Sequence, residues 1–129
     1  MSKIIDLDVK SYGRKYYDSG ALKSEILQIG KQQILQIYFE DGSLQATSPT
    51  INFKLNGKAI VYYRNGNIHC KINYLNHQQD GLAQGYYYNG KKAIEILYKR
   101  DKAKIGVYYK KSGFKQTMSE EQLKRKSKL

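Results

Sequence analysis

Residues 62–66 read YYRNG, two aromatics running into an Asn-Gly pair. Asn-Gly is the strongest short hairpin signal, because a type I′ turn needs positive φ at both central residues. The phrase returns along the chain. YYDSG ends at Gly20, YFEDG at Gly42, YYYNG at Gly90, and a looser YYKKSG at Gly113. The glycines are separated by 22, 24, 24 and 23 residues. A fixed period of roughly 20 to 50 residues is the signature of a repeat array. Weaker turn signals lie between them: IGK at 29–31, NG at 56–57, QDG at 79–81 and RDK at 100–102. Each repeat therefore reads as two strands, and the chain as all-β.

The strand segments alternate. Ile68, Cys70, Ile72 and Tyr74 share one parity, while His69, Lys71 and Asn73 take the other. Ile51, Phe53 and Leu55 alternate with Asn52 and Lys54. Ile5, Leu7 and Val9 alternate with Asp6, Asp8 and Lys10, which predicts a strand at the start. Such patterning describes an antiparallel sheet with one packed side. The end differs. SEEQLKRKSKL, residues 119–129, pairs Ser119 with Gln122 in a capping-box pattern, with acids first and bases last. It predicts a short helix. The chain divides into a repeat domain of residues 1–115 and a basic helix or tail of residues 116–129. The tail lies outside the repeat and is expected to be dispensable for the fold; loss of the folded signal on truncation would show instead that it caps the array.

The phrases YYDSGALKSE, YFEDGSL, YYRNGNI and YYYNGKK resemble the MORN-type repeat, and more closely the MORN-variant repeats of the bacterial YwqK-type antitoxin family. The resemblance covers about residues 12–114. It implies an elongated antiparallel meander of β-hairpins and a protein-binding role as an antitoxin or immunity protein that neutralises a toxin, without catalysis. The sequence departs from the pattern at ATSPTINFKL (residues 46–55), at Lys92 where other repeats have Leu22, Leu44 and Ile68, and at an extra residue before Gly113.

The doublets build two ladders, because adjacent strand residues point to opposite faces. Tyr17, Phe39, Tyr63 and Tyr87 stand three before each glycine, and Leu35, Ile37 and Val61 share their parity. That face is expected to be the buried one. Tyr16, Tyr38, Tyr62 and Tyr86 stand four before, with Gln36, Lys58 and Gln84, although Ile34 and Ile60 also fall there. Tyrosine is favoured at interface hot spots. The expected partner-binding residues are Tyr16, Tyr38, Tyr62 and Tyr86, with Arg64 and Lys58 nearby.

Of the 129 residues, 23 are Lys or Arg and 11 Asp or Glu, a net charge of +12. Residues 1–90 carry +3 and residues 91–129 carry +9. This asymmetry supports an alternative, binding to an anionic surface of lipid headgroups or nucleic acid through Lys91, Lys92, Lys99, Arg100, Lys124, Arg125 and Lys126. Cys70 is alone, which excludes an internal disulfide and a cysteine-based zinc site. His69 and His77 lack ligand companions, so neither metal nor cofactor is expected. No Ser-His-Asp or Cys-His set and no phosphate-cradling loop is evident, and no enzyme activity is expected. The start lacks an apolar signal-peptide core, and a soluble cytoplasmic protein is the expectation.

Overall fold

All five glycine-ended phrases close the same turn in the computed structural model, which describes residues 8–127. The N–H of Tyr17 donates to the Ala21 carbonyl and that of Gly20 to the Tyr17 carbonyl, both at 2.9 Å. The same pair of bonds recurs at Phe39/Gly42, Tyr63/Gly66, Tyr87/Gly90 and Lys110/Gly113. Each glycine has φ between 89° and 92°. This is a type I turn followed by a left-handed glycine, the G1 bulge. It corrects the type I′ expectation, since neither Asn65 nor Asn89 has positive φ. The residue before the glycine serves another purpose. Asn65 Oδ1 accepts the Asn67 N–H at 2.9 Å, Asn89 Oδ1 that of Lys91 at 3.0 Å, and Asp41 Oδ1 that of Ser43 at 2.8 Å. Short polar side chains cap turn backbone in this way. In the last repeat Lys110 takes the place of the third-from-glycine aromatic.

Gly66 has open space around its α-carbon, so a side chain there meets only the backbone penalty of φ 89°. Gly66→Val is expected to cost more than about 1 kcal/mol, read as a lower urea midpoint.

The opposite ends of the strands carry the primed turns. Asn52–Phe53, Asn76–His77 and Arg100–Asp101 have positive φ at both central residues, the type I′ pattern. At Gly30–Lys31 only Gly30 is positive, as in type II′. The expected turns at NG 56–57 and QDG 79–81 are therefore misplaced. Gly57 (φ 113°) and Gly81 (φ 100°) are kinks within a returning strand, and the turns lie four to five residues earlier. Among the described residues six non-glycine residues have positive φ, and bonds to the preceding repeat hold Phe53, His77, Arg100 and Asp101. The Leu55 N–H donates to His77 Nδ1 at 2.7 Å and the His77 N–H to the Leu55 carbonyl at 2.9 Å. Gln79 and Asp101 repeat the exchange at 2.7 and 2.8 Å.

The strands are β1 (Val9–Tyr16), β2 (Leu22–Ile29), β3 (Gln32–Tyr38), β4 (Leu44–Ile51), β5 (Lys54–Leu55), β6 (Gly57–Tyr62), β7 (Ile68–Leu75), β8 (Gln78–Gln79), β9 (Gly81–Tyr86), β10 (Lys92–Lys99), β11 (Lys102–Tyr109) and β12 (Lys115–Thr117). They form one antiparallel sheet in the order β1-β2-β3-β4-β6-β7-β9-β10-β11-β12, with β5 and β8 continuing β6 and β9 across the kinks. The expected all-β meander of hairpins is the observed architecture. Of the expected opening strand, residues 5–7 lie outside the described residues. The stretch ATSPTINFKL runs through β4 to the Asn52–Phe53 turn. Each of the first four hairpins has a further bulge, at Lys23, Gln45, His69 and Ala93.

Accessible surface is 9218 Å², against about 7000 Å² for a compact chain of this mass. A single layer explains the excess. Among the described residues only Ala59, Ile96, Tyr98 and Met118 are buried hydrophobics. Three of them form the core cluster, with Ala103, Tyr108 and Leu123 packed around it. Met118 and Leu123 come from the C-terminal segment, where α1 (Glu120–Lys126) lies on one sheet face. The Ser119–Gln122 capping box is present. Gly106 admits this packing, since any β-carbon there would collide with Met118 Sδ. The Ala103 N–H donates to Ser127 Oγ at 2.8 Å, the bond that His77 and Asp101 supply in earlier repeats. The tail thus caps the array rather than trailing from it.

Candidate functional site

The sheet has two unlike faces. The helix face, under α1, carries Leu35, Ile37, Ala59, Val61, Ile72, Tyr74, Ile96 and Tyr98. The open face carries a row in direct register across eight strands: Glu25, Gln36, Thr47, Ile60, Lys71, Gln84, Glu95 and Val107. The parity expected for Leu35, Ile37 and Val61 against Gln36 and Gln84 is the parity seen.

The tyrosines four before each glycine stand beside this row, and Tyr109 is a fifth. Tyr16 is 56% exposed, while Tyr38, Tyr62, Tyr86 and Tyr109 are half-buried. Tyr38, Tyr86 and Tyr109 each meet a repeat-equivalent neighbour, Glu25, Lys71 or Glu95; Thr47 holds the equivalent position in the repeat of Tyr62. Tyr38 Oη donates to Glu25 Oε2 at 2.6 Å and Tyr109 Oη to Glu95 Oε1 at 2.7 Å. Lys71 Nζ lies 5.8 Å from the Tyr86 ring centre. Ser11 Oγ also donates to Glu25, at 2.6 Å, which fastens β1 to the sheet. Burial pushes the Glu25 carboxyl up, but the Ser11 and Tyr38 hydroxyls and the Arg14 guanidinium outweigh it and leave it below the ordinary 4.5. Glu95 is likewise held low, first by the Tyr109 hydroxyl. Tyr38 is pushed up to about 12, by burial and then by the Glu25 carboxylate.

A lowered carboxyl stabilises the fold above the pKa of the unfolded chain. That contribution fades as pH falls below about 4.5 and is gone beneath the folded-state values. The urea midpoint of the wild-type chain is therefore expected to fall between pH 6 and pH 3. A Glu25→Gln, Glu95→Gln double variant is expected to show a smaller fall. An equal fall in both would remove these carboxyls from the account.

The other aromatic ladder joins the repeats. Tyr17 Oη donates to the Tyr38 carbonyl and Tyr63 Oη to the Tyr86 carbonyl, both at 2.7 Å, and Tyr87 Oη to the Tyr109 carbonyl at 2.5 Å. Phe39 cannot make this bond, and the Arg64 guanidinium lies 4.9 Å from its ring centre. Arg64 thereby belongs to the glycine-turn edge, away from Lys58, which is exposed at the far end of β6. The basic residues are dispersed as well. Lys91 and Lys92 follow Gly90, Lys99 and Arg100 stand at the other end of β10, and Lys124, Arg125 and Lys126 lie on α1. Lys92 also pairs with Glu95 at 3.5 Å and Arg125 with Glu121 at 3.3 Å.

One feature escaped the sequence reading. The open face bears a band of exposed aliphatics: Ile51 (58%), Leu75 (53%), Leu82 (42%), Leu97 (44%) and Ile105 (62%). Leu82, Leu97 and Ile105 stand in direct register on β9, β10 and β11. Exposed Lys54, Lys58, Lys99, Lys102 and Lys104 border the band. The signal was available in the unmatched apolar parity of Ile34 and Ile60. A row of exposed aliphatics rimmed by polar groups marks an interaction surface.

His69 stacks on the Tyr63 ring at 4.3 Å, and His77 caps Leu55. No group of three or more metal-ligating side chains occurs among the described residues. No helix among them is long and apolar enough to cross a membrane. Residues 55–76 and 79–100 each match the MORN repeat variant, a repeat module of binding proteins. Each match begins in β5 or β8 and ends in a type I′ turn, so it spans one structural repeat. No curated protein matches the chain.

Proposed function

We propose that the chain is a non-enzymatic binding module that neutralises an acidic toxin by docking it on the open face, as an antitoxin or immunity protein of the YwqK type. The aliphatic band carries this reading, because a soluble partner must supply the apolar surface that the single layer lacks. The bordering lysines favour an acidic partner, and the excess of basic charge raises its rate of encounter. Tyr16, Tyr62 and Tyr86 extend the surface toward the glycine turns, with Lys58 at the opposite margin. Arg64 and Tyr38 contribute less, since the Phe39 ring and Glu25 already engage them.

Co-expression with the product of the adjacent gene tests the reading. A stable complex and restored growth are expected. Leu82→Asp with Leu97→Asp should leave the far-UV spectrum unchanged and weaken binding at least about 30-fold, the loss of one hot spot. The dispersed basic residues predict that affinity persists at high salt. A steep loss with salt would favour the anionic-surface alternative. No complex and no protection of growth would refute the antitoxin role.

A further inference from the structure

The C-terminal helix covers only the last repeat of the helix face. Its seat consists of Ile96, Tyr98, Ala103 and Tyr108, into which Met118 and Leu123 insert. The repeat places the same surface upstream, where no element among the described residues lies over it. Ile72 and Tyr74 stand where Ile96 and Tyr98 do, and Ala83 and then Ala59 stand where Gly106 lets α1 approach. These positions line a shallow apolar trough. A cavity of about 140 Å³ is bounded by Leu35, Ile37, Leu55, Val61, Ile72 and Tyr74. A second, of about 160 Å³, is bounded by Cys70, Ile72, Ala83, Gly85, Ile96 and by Lys126 of α1. The trough thus runs directly into the interface that α1 already makes.

We propose that this trough seats a short amphipathic helix of an acidic partner protein, lying beside α1. The helix already on this face defines the chemistry that fits: apolar side chains inward, polar ones outward. Spacing agrees. One repeat is two strands, about 10 Å at about 4.8 Å each, and packed helices lie about 8–10 Å apart. A helix seated one repeat upstream therefore packs side by side with α1. Charge selects it further, because Lys126 lines the junction and wants an acidic residue on the incoming helix. The small floor residues Ala59 and Ala83 allow close approach, while Leu35, Val61 and Ile72 supply the apolar walls. This site lies opposite the aliphatic band and goes beyond the docking proposed there.

Cys70 reports on it, since its thiol borders the trough and no other cysteine competes. The probe is a 14-residue helical peptide with leucines at i, i+3, i+4, i+7 and i+11 and glutamates on the remaining face. Added to the full chain, it is expected to slow N-ethylmaleimide alkylation of Cys70 at least tenfold. Ile72→Asp or Lys126→Glu should weaken that protection at least tenfold. A control peptide of equal composition with its leucines dispersed should not protect. Failure to protect at millimolar peptide would overturn the proposal. So would binding that leaves Cys70 reactive, or equal protection by the control, which would reduce the effect to charge. A neighbouring-gene product that fails to bind would refute the antitoxin reading while leaving this result unaffected.

Discussion

A chain ending at Lys115 is expected to unfold about 3–5 kcal/mol more easily than the full-length chain, because it loses both Met118 and Leu123 from the core cluster. Met118→Ala alone should cost about 2–3 kcal/mol, the lower half of the range for emptying a buried methionine site. The seat of α1 holds three of the four buried hydrophobics among the described residues, so few other side chains can compensate. The Ala103 N–H and the Gly106 carbonyl also lose their partners in Ser127 and Met118. Both become accessible to water, so the main loss is apolar. Urea denaturation followed by far-UV signal measures it. A truncated chain with an unchanged midpoint would mean that residues 116–129 are a solvated tail. The same experiment tests the proposed division at residue 115.

The second large effect is expected at Tyr63. Its hydroxyl reaches the Tyr86 carbonyl at 2.7 Å, its ring stacks on His69, and Tyr88 meets it edge-on at 5.2 Å. Tyr63→Ala should cost about 2–3 kcal/mol, below the 3–5 of a fully buried aromatic because the ring is half-buried. Tyr63→Phe should cost about 0.5–1.5 kcal/mol for the lost hydrogen bond. Phe39 alone suggests a smaller penalty, since that position dispenses with a hydroxyl. The difference lies in the next repeat: Phe39 has Arg64 above its ring, whereas Tyr63 has a carbonyl within reach. Tyr62→Ala should cost at most about 1 kcal/mol through cross-strand contact. Equal costs for Tyr62→Ala and Tyr63→Ala would remove the distinction between the ladders.

Local chemistry explains why some features were legible in the sequence. Each glycine turn, the alternation of Leu35 and Ile37 within β3 and the Ser119–Gln122 capping box of α1 are local to one turn, one strand or one helix end. The unread features depend on contacts between repeats. The turns at Asn52–Phe53 and Asn76–His77 went unread, whereas RDK fell on the observed Arg100–Asp101 turn; the positive φ of Phe53 and His77 is sustained by bonds to the preceding repeat. Gly57 and Gly81 gave the signal instead, at a kink four to five residues away. The docking of α1 depends on Gly106, whose missing side chain has no meaning until Met118 is placed above it. At the site, the tyrosine ladder was visible, and Gln36 and Gln84 share the open face with it, but the expected contrast in burial is absent: apart from exposed Tyr16, both ladders are half-buried. The aliphatic band was not visible, because Leu82, Leu97 and Ile105 are 15 and 8 residues apart and become neighbours only through strand register.

Hydroxyl-radical footprinting of the free chain and of its complex with the adjacent-gene product tests the central claim most directly. Side-chain oxidation of Ile51, Leu75, Leu82, Leu97 and Ile105 is expected in the free chain, where all five are more than 40% exposed. In the complex their oxidation should fall together, at least about threefold, while Phe114 and Tyr88 at the glycine-turn edge keep their reactivity. A complex that forms with the five aliphatics still fully reactive would contradict docking on the open face.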